Sequence, residues 1–312
     1  MLNCVSARYT VFICEHLRKS VDKAMKFGMN LLLWTDRLHD GLMPVLRQLK
    51  EMGYDGVEVP MFSPDEELYR TWGQRLDGLG FERTVVTIRT EQDNPISSDP
   101  GVRGAAVDAS KRTLDSCHAL GAMTLCGPFH SALGVFSGRG PTNDEWKWGV
   151  ESMRSVAEHA AAAGVTLAVE FLNRFETYFL TCAADTARFV AEVNHSNCRM
   201  MYDTFHANIE EKNIRDAIRT AAPFTVHVHI SENDRSTPGS GHVDWQATFD
   251  TLHETGYDGW MVVEAFGLFL PEISAATKIW RRMYDSEEQL ARDALAFMKG
   301  ETSRRGTQSR GQ

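Results

Sequence analysis

Apolar positions repeat in one unit along most of the chain. Apolar residues on one helical face end at a glycine, and a short apolar run follows. In the first unit Leu42, Val45, Leu46, Leu49 and Met52 recur at spacings that align them on one side of a helix. Gly53 is the stop, because glycine takes up the left-handed conformation of helix ends without a Cβ clash. Val57-Glu58-Val59-Pro60 then reads as a strand. The unit returns with Leu76 and Gly80 before residues 84–88, and with Cys117-His118-Ala119-Leu120-Gly121 before 123–126. It returns again with Ala160 and Gly164 before 166–171, and with Gly256 before 260–264. Gly53-Tyr54-Asp55-Gly56 is repeated as Gly256-Tyr257-Asp258-Gly259.

Residues 27–34, 199–202 and 225–230 complete a set of eight strands separated by helical patterns. Strands alternating with helices predict an α/β protein with a parallel sheet. Eight units in this length fit a closed (β/α)8 TIM barrel better than an open sheet. No G-x-G-x-x-G and no phosphate-binding G-x-x-x-x-G-K-[ST] occurs, which argues against a dinucleotide or nucleotide fold. No linker rich in Pro, Gly or Ser interrupts residues 25–299, so they are expected to form one domain.

The ends read differently. Residues 1–24 hold a short apolar stretch, Tyr9 to Cys14, with Glu15, Arg18 and Lys19 close behind, which is unlike a secretory signal. Met25 opens the first strand pattern, so residues 1–24 are expected to be an N-terminal extension from an upstream start. Residues 300–312 are polar and rich in Ser, Arg and Gly, and are expected to form a flexible tail.

Composition narrows the function classes. Of 312 residues, 43% are hydrophobic and 24% charged, as in ordinary globular enzymes. The net charge of −9 and pI of about 5.7 disfavour a generic nucleic-acid partner. No apolar run is long enough to span a bilayer. The six cysteines form no C-x-x-C pair, which suits reduced thiols in a cytoplasmic protein rather than a disulfide framework or a zinc site.

The chemistry of a barrel lies at the C-terminal ends of its strands. Four strand ends carry metal-type side chains: Glu170 after Val169, Asp203 after Tyr202, His229 within His227-Val228-His229, and Glu264 after Val263. An acid at an apolar strand end is costly unless it is paired or metal-bound. A single such Glu would read as a structural ion pair; four on successive strands would not. Three carboxylates and one imidazole suit a borderline-hard divalent ion, Mn2+ first, with Mg2+ or Co2+ as alternatives. His227 and His229 share a face of their strand, and the one nearer the strand end, His229, is expected to reach the ion.

These blocks resemble the D-tagatose 3-epimerase (ketose 3-epimerase) family of the xylose-isomerase-like barrels. The likeness runs over about residues 25–299. It is densest at 169–176, 202–211, 227–242 and 263–266, long motifs in the right order. The resemblance implies that Glu170, Asp203, His229 and Glu264 hold the metal, and that Glu170 and Glu264 are the two catalytic acid/base residues. It implies that Glu176, His206 and Arg235 hold the first oxygens of the sugar and that Trp34 packs beside it; a rim core residue is the other reading of Trp34. It implies C3 epimerisation of free ketohexoses through a cis-enediolate, and a homodimer or homotetramer. The third strand and residues 127–134, which line the far end of the pocket in such enzymes, match no single sugar. The alternatives are an aldose–ketose isomerase of hydroxypyruvate-isomerase type on the same fold, a barrel endonuclease, and a sugar-binding protein without turnover. The endonuclease would need more histidine ligands and a basic face.

Overall fold

The repeating unit folds as its pattern requires. The computed structural model describes residues 25–308, with side chains described to residue 305. The expected extension at residues 1–24 lies outside the described residues.

Eight parallel strands close on themselves in sequence order. They are β1 (Lys26–Asn30), β2 (Gly56–Pro60), β3 (Glu82–Val86), β4 (Thr124–Gly127), β5 (Thr166–Val169), β6 (Cys198–Asp203), β7 (Thr225–Ile230) and β8 (Trp260–Val263). Closure is made where β1 pairs with β8, from Lys26 opposite Trp260 to Met29 opposite Val263. Around the barrel run α1 (Met43–Met52), α2 (Glu66–Leu79), α3 (Pro100–Leu120), α4 (Asn143–Ala163), α5 (Ala183–Val193), α6 (Thr204–Glu210), α7 (Ile214–Ala221), α8 (Trp245–Glu254), α9 (Pro271–Thr277) and α10 (Glu287–Gln308). The main core lies between strands and helices; Leu46 and Leu49 of α1 and Leu76 of α2 enter it as their spacing requires. A second apolar cluster includes Val86, Cys126, Ala168 and Met201, one residue from each of β3 to β6.

Gly53, Gly80, Gly121 and Gly164 each end their helix in the left-handed conformation. Gly127 has a different reason to be glycine. With φ +120°, its Cβ would lie 2.2 Å from the Thr87 carbonyl oxygen, so β3 and β4 approach closely only without a side chain there.

Three boundaries depart from expectation. The first strand stops at Asn30, whose side chain accepts from the Leu32 amide at 2.9 Å and starts a buried 3-10 turn, Leu31–Leu33. The apolar run therefore continues as a turn, and Trp34 follows it, half-buried against the core. The third strand is displaced from residues 84–88 to Glu82–Val86. At the C-terminus α10 passes through Gly300 to Gln308 instead of giving way to a tail at residue 300. Arg305 there pairs with Glu301 one turn back, at 2.7 Å, and with Asp250 of α8, at 2.8 Å, which ties the polar turn to the barrel.

Candidate active site

The acidic strand ends converge as the barrel closes. Glu170 follows the last residue of β5, Asp203 ends β6, His229 is the penultimate residue of β7, and Glu264 follows β8. All four are buried. His229 Nδ1 is the centre: Glu264 Oε1 lies 3.4 Å away, Asp203 Oδ2 3.5 Å and Glu170 Oε1 3.9 Å. Asp203 also caps α6, its Oδ1 accepting from the His206 amide at 2.9 Å, which leaves Oδ2 aimed at the cluster. Thr204 fastens the strand end to its neighbour: its hydroxyl donates to the Ser231 carbonyl at 2.7 Å and accepts from the Ser231 amide at 2.8 Å.

Three carboxylates crowded out of water around one nitrogen repel each other. Burial, with Glu264 and Asp203 adding to it, pushes the Glu170 carboxyl well above the usual range, against the pull of His229 and Arg235. Asp203 Oδ2, His229 Nδ1 and Glu264 Oε2 are buried without a hydrogen-bond partner. Orphaned polar atoms of this kind are costly, and a divalent cation would satisfy all of them at once. The donor set therefore fits a metal ion held by Glu170, Asp203, His229 and Glu264. His206 stands near Glu170 and Asp203 and could be taken for a further ligand. Its Nδ1, however, accepts from the Asn173 amide at 3.0 Å, so a neutral ring carries its proton on Nε2 and has no lone pair free. Burial, aided by Arg235 and His229, pushes its pKa down to about 3 against Asp203, which keeps the ring neutral.

Glu176, His206 and Arg235 come together beside the cluster. Arg235 Nη1 donates to Glu176 Oε1 at 3.1 Å, and Asn173 Nδ2 donates to the same oxygen at 3.0 Å. Arg235 Nη2 lies 3.1 Å from His206 Nε2 and 3.9 Å from Glu264 Oε2. The guanidinium and His206 Nε2 thus lie side by side at the edge of the cluster, within reach of one oxygen acceptor placed beside them. The guanidinium is stacked over Phe205 and Phe266, 4.1 and 5.1 Å from their ring centres. Arg235 itself has φ +58°, unusual for a side-chain-bearing residue. Glu232 holds the loop that carries it: Oε1 accepts from the Asn233 and Val243 amides, and Oε2 from the Gly239 amide and Trp245 Nε1, at 2.8–3.1 Å.

Two carboxylates were not singled out from the sequence as site residues. Glu232 is one. The other is Glu58, wholly buried in the middle of β2. Its Oε1 accepts from His229 Nε2 at 2.7 Å and Asn30 Nδ2 at 2.9 Å. Its Oε2 accepts from Thr84 Oγ1 at 2.8 Å and Cys126 Sγ at 3.0 Å, and lies 2.9 Å from His227 Nε2. Burial alone would raise this carboxyl, but His229 and His227 outweigh it and hold it well below the usual carboxylate range. The signal in the sequence was the same as at Glu264: an acid in an apolar run, Val57-Glu58-Val59. His227 faces Glu58 in the barrel interior, as expected for the residue farther from the strand end.

Residues 46–300 match the family described as xylose isomerase-like TIM barrel, and the chain belongs to that family. It is 31% identical over 285 residues to a D-psicose 3-epimerase of Agrobacterium fabrum, covering 88% of this chain and 98% of that protein. It is 32% identical over 277 residues to an L-ribulose 3-epimerase of Mesorhizobium japonicum, covering 88% and 93%. The structure of a D-psicose 3-epimerase from Clostridium cellulolyticum with D-tagatose superposes with a TM-score of 0.81 at 30% identity, covering 89% of this chain and 98% of that one. These relatives make the chain an enzyme of the carbohydrate-isomerase type.

Proposed function

We propose that the protein is a divalent-metal-dependent ketose 3-epimerase of free ketoses, of the D-tagatose, D-fructose and D-psicose type, with Mn2+ as its ion. The observation that carries the reading is the pair Glu170 and Glu264. They are buried carboxylates from strand ends on either side of His229, and both meet its Nδ1, at 3.9 and 3.4 Å. Epimerisation at C3 removes the proton beside the C2 carbonyl and returns one to the opposite face. It needs an acid/base group on each side of one carbon. The names of the relatives, a D-psicose and an L-ribulose 3-epimerase, support the same reaction class.

A divalent ion held by Glu170, Asp203, His229 and Glu264 supplies Lewis-acid stabilisation of the charge that develops when C3 is deprotonated. One glutamate takes the C3 proton and the other returns a proton to the resulting enediolate; the substrate's C3 configuration sets which does which. Arg235 and His206 Nε2–H donate to the O1–O2 end of the sugar, and Glu176 accepts from it. Fixing that end keeps C3 between the two carboxylates. Trp34 flanks the sugar in this reading. A homodimer or homotetramer and a cytoplasmic location belong to it as well. The location is supported by four free cysteines among the described residues.

The test is metal-stripped enzyme re-supplied with Mn2+ and run on a panel of free ketoses in deuterium oxide. Deuterium at C3 together with the C3 epimer is expected, and the relative rates rank the sugars. Deuterium at C1 with an aldose product would move the assignment to an aldose–ketose isomerase. Tight sugar binding without exchange at any carbon would make it a binding protein.

A further inference from the structure

The geometry points to Glu58 as the positioning residue of the metal centre: its carboxylate fixes the His229 ring so that Nδ1 faces the ion. The inference rests on the metal reading above. It starts from a cluster that, by donor type alone, looks like a second metal site: Glu58, Cys126, His227 and His229, all buried, with ligand atoms within 4.8 Å of one another. Hydrogen bonding argues otherwise. A carboxylate offers about four lone-pair positions. Oε1 of Glu58 already meets His229 Nε2 and Asn30 Nδ2, and Oε2 meets Thr84, Cys126 and His227. Four hydrogen bonds, with His227 Nε2 a further close contact on Oε2, leave that carboxylate nothing for a cation.

The consequence falls on His229. An imidazole whose Nε2–H is held by a carboxylate at 2.7 Å presents Nδ1 as its lone pair. That nitrogen faces Asp203, Glu264 and Glu170. The hydrogen bond also fixes the ring plane, because Glu58 is itself immobilised from β1, β3 and β4 through Asn30, Thr84 and Cys126. A carboxylate behind a ligating imidazole raises its basicity, and removing such a partner typically weakens metal binding about 10–100-fold. Glu58 lies on the opposite side of the ring from Asp203, Glu264 and Glu170, so its role is exerted through His229.

The experiment measures Mn2+ binding by calorimetry on the folded, metal-stripped full chain. Glu58→Gln keeps the shape but has one acceptor oxygen for four hydrogen-bond donors, and its Mn2+ dissociation constant is expected to rise about 10–100-fold. Thr84→Val removes a donor from the opposite oxygen and leaves the His229 bond in place. It is expected to lower Tm while Mn2+ affinity stays within about threefold of wild type. Equal Mn2+ affinity in wild type and Glu58→Gln overturns the inference, as does an equal loss in both variants. Wild type that binds no Mn2+ overturns the metal reading and this inference with it. Should Glu58→Gln fail to fold, nitrogen-15 histidine spectra of Mg2+-loaded wild type decide the matter. A proton on His229 Nε2, shifted downfield by a strong hydrogen bond, is expected, and an unprotonated Nε2 refutes it.

Discussion

Replacing Glu232 by Gln is a stringent perturbation of this site, because it removes a charge and no volume. The carboxylate accepts four hydrogen bonds of 2.8–3.1 Å, two on each oxygen. A carboxamide keeps one acceptor and turns an NH2 group toward the other two donors. Whichever way it lies, two bonds to the carboxylate are lost and two donors, part-buried apart from the Val243 amide, are left facing a third. Each bond to a charged group contributes about 1.5–3 kcal/mol, so the loss should be about 3–6 kcal/mol, a large share of the ~5–15 kcal/mol that stabilises a typical domain. The damage is also local. The Arg235 amide donates to the Glu232 carbonyl at 2.9 Å, and the Arg235 carbonyl accepts from the Phe266 amide at 2.9 Å, so a loosened loop releases the guanidinium beside Glu176. Urea denaturation gives the stability change, and kcat/KM on the best ketose gives the functional one. A stability loss below about 1 kcal/mol with unchanged kcat/KM would refute the account of Glu232 as the organiser of that loop.

Glu170→Gln and Glu264→Gln are each expected to abolish turnover, and substantial activity in either folded, metal-loaded variant would sink the two-carboxylate mechanism. His206→Ala should reduce both sugar affinity and kcat while the metal stays bound; loss of the metal, read by calorimetry, would make His206 a ligand instead. His130, on the loop after β4, is driven from 6.5 to about 3 by burial, against a smaller opposing effect at Glu170. Between those pH values the unfolded chain binds the proton and the folded chain does not. The stability of wild type relative to His130→Gln is therefore complete above pH 6.5 and falls as pH drops toward 3, by on the order of 1 kcal/mol per pH unit. Denaturation midpoints of both proteins across that range check it, and a flat difference contradicts it.

Much of the barrel and the acidic cluster was legible in the sequence because both follow local rules. Period and glycine stops set the strands, and an acid at the end of an apolar strand marks the C-terminal face of the barrel; Glu170, Asp203 and Glu264 are all of that kind. What escaped depends on partners distant in the chain. Glu58 looks like its counterparts in the sequence, but it sits in mid-strand, and its meaning comes from Asn30 and Thr84, which flank it in register on β1 and β3, and from His229, 171 residues away. Glu232 lay inside a recognised motif, yet its four donors are spread from Asn233 to Trp245 and meet only when the loop folds back. The last turns of α10 were misread for the reverse reason. A polar composition resembles a tail until Asp250 of α8 is there to receive Arg305.

The four proposed metal ligands all come from the second half of the barrel, β5 to β8, while Glu58, the carboxylate bonded to His229, comes from β2. Neither half alone contains a complete centre. The two halves are joined by the β4–β5 seam and by the closing pair of β1 on β8. Glu58 reaches His229 only once that second seam has formed. On the proposed reading, folding and assembly of the centre are therefore one event: the pairing of Glu58 with His229 comes into being with ring closure. If the centre binds Mn2+ as proposed, the arrival of tight binding during refolding would be a clock for the moment the barrel shuts.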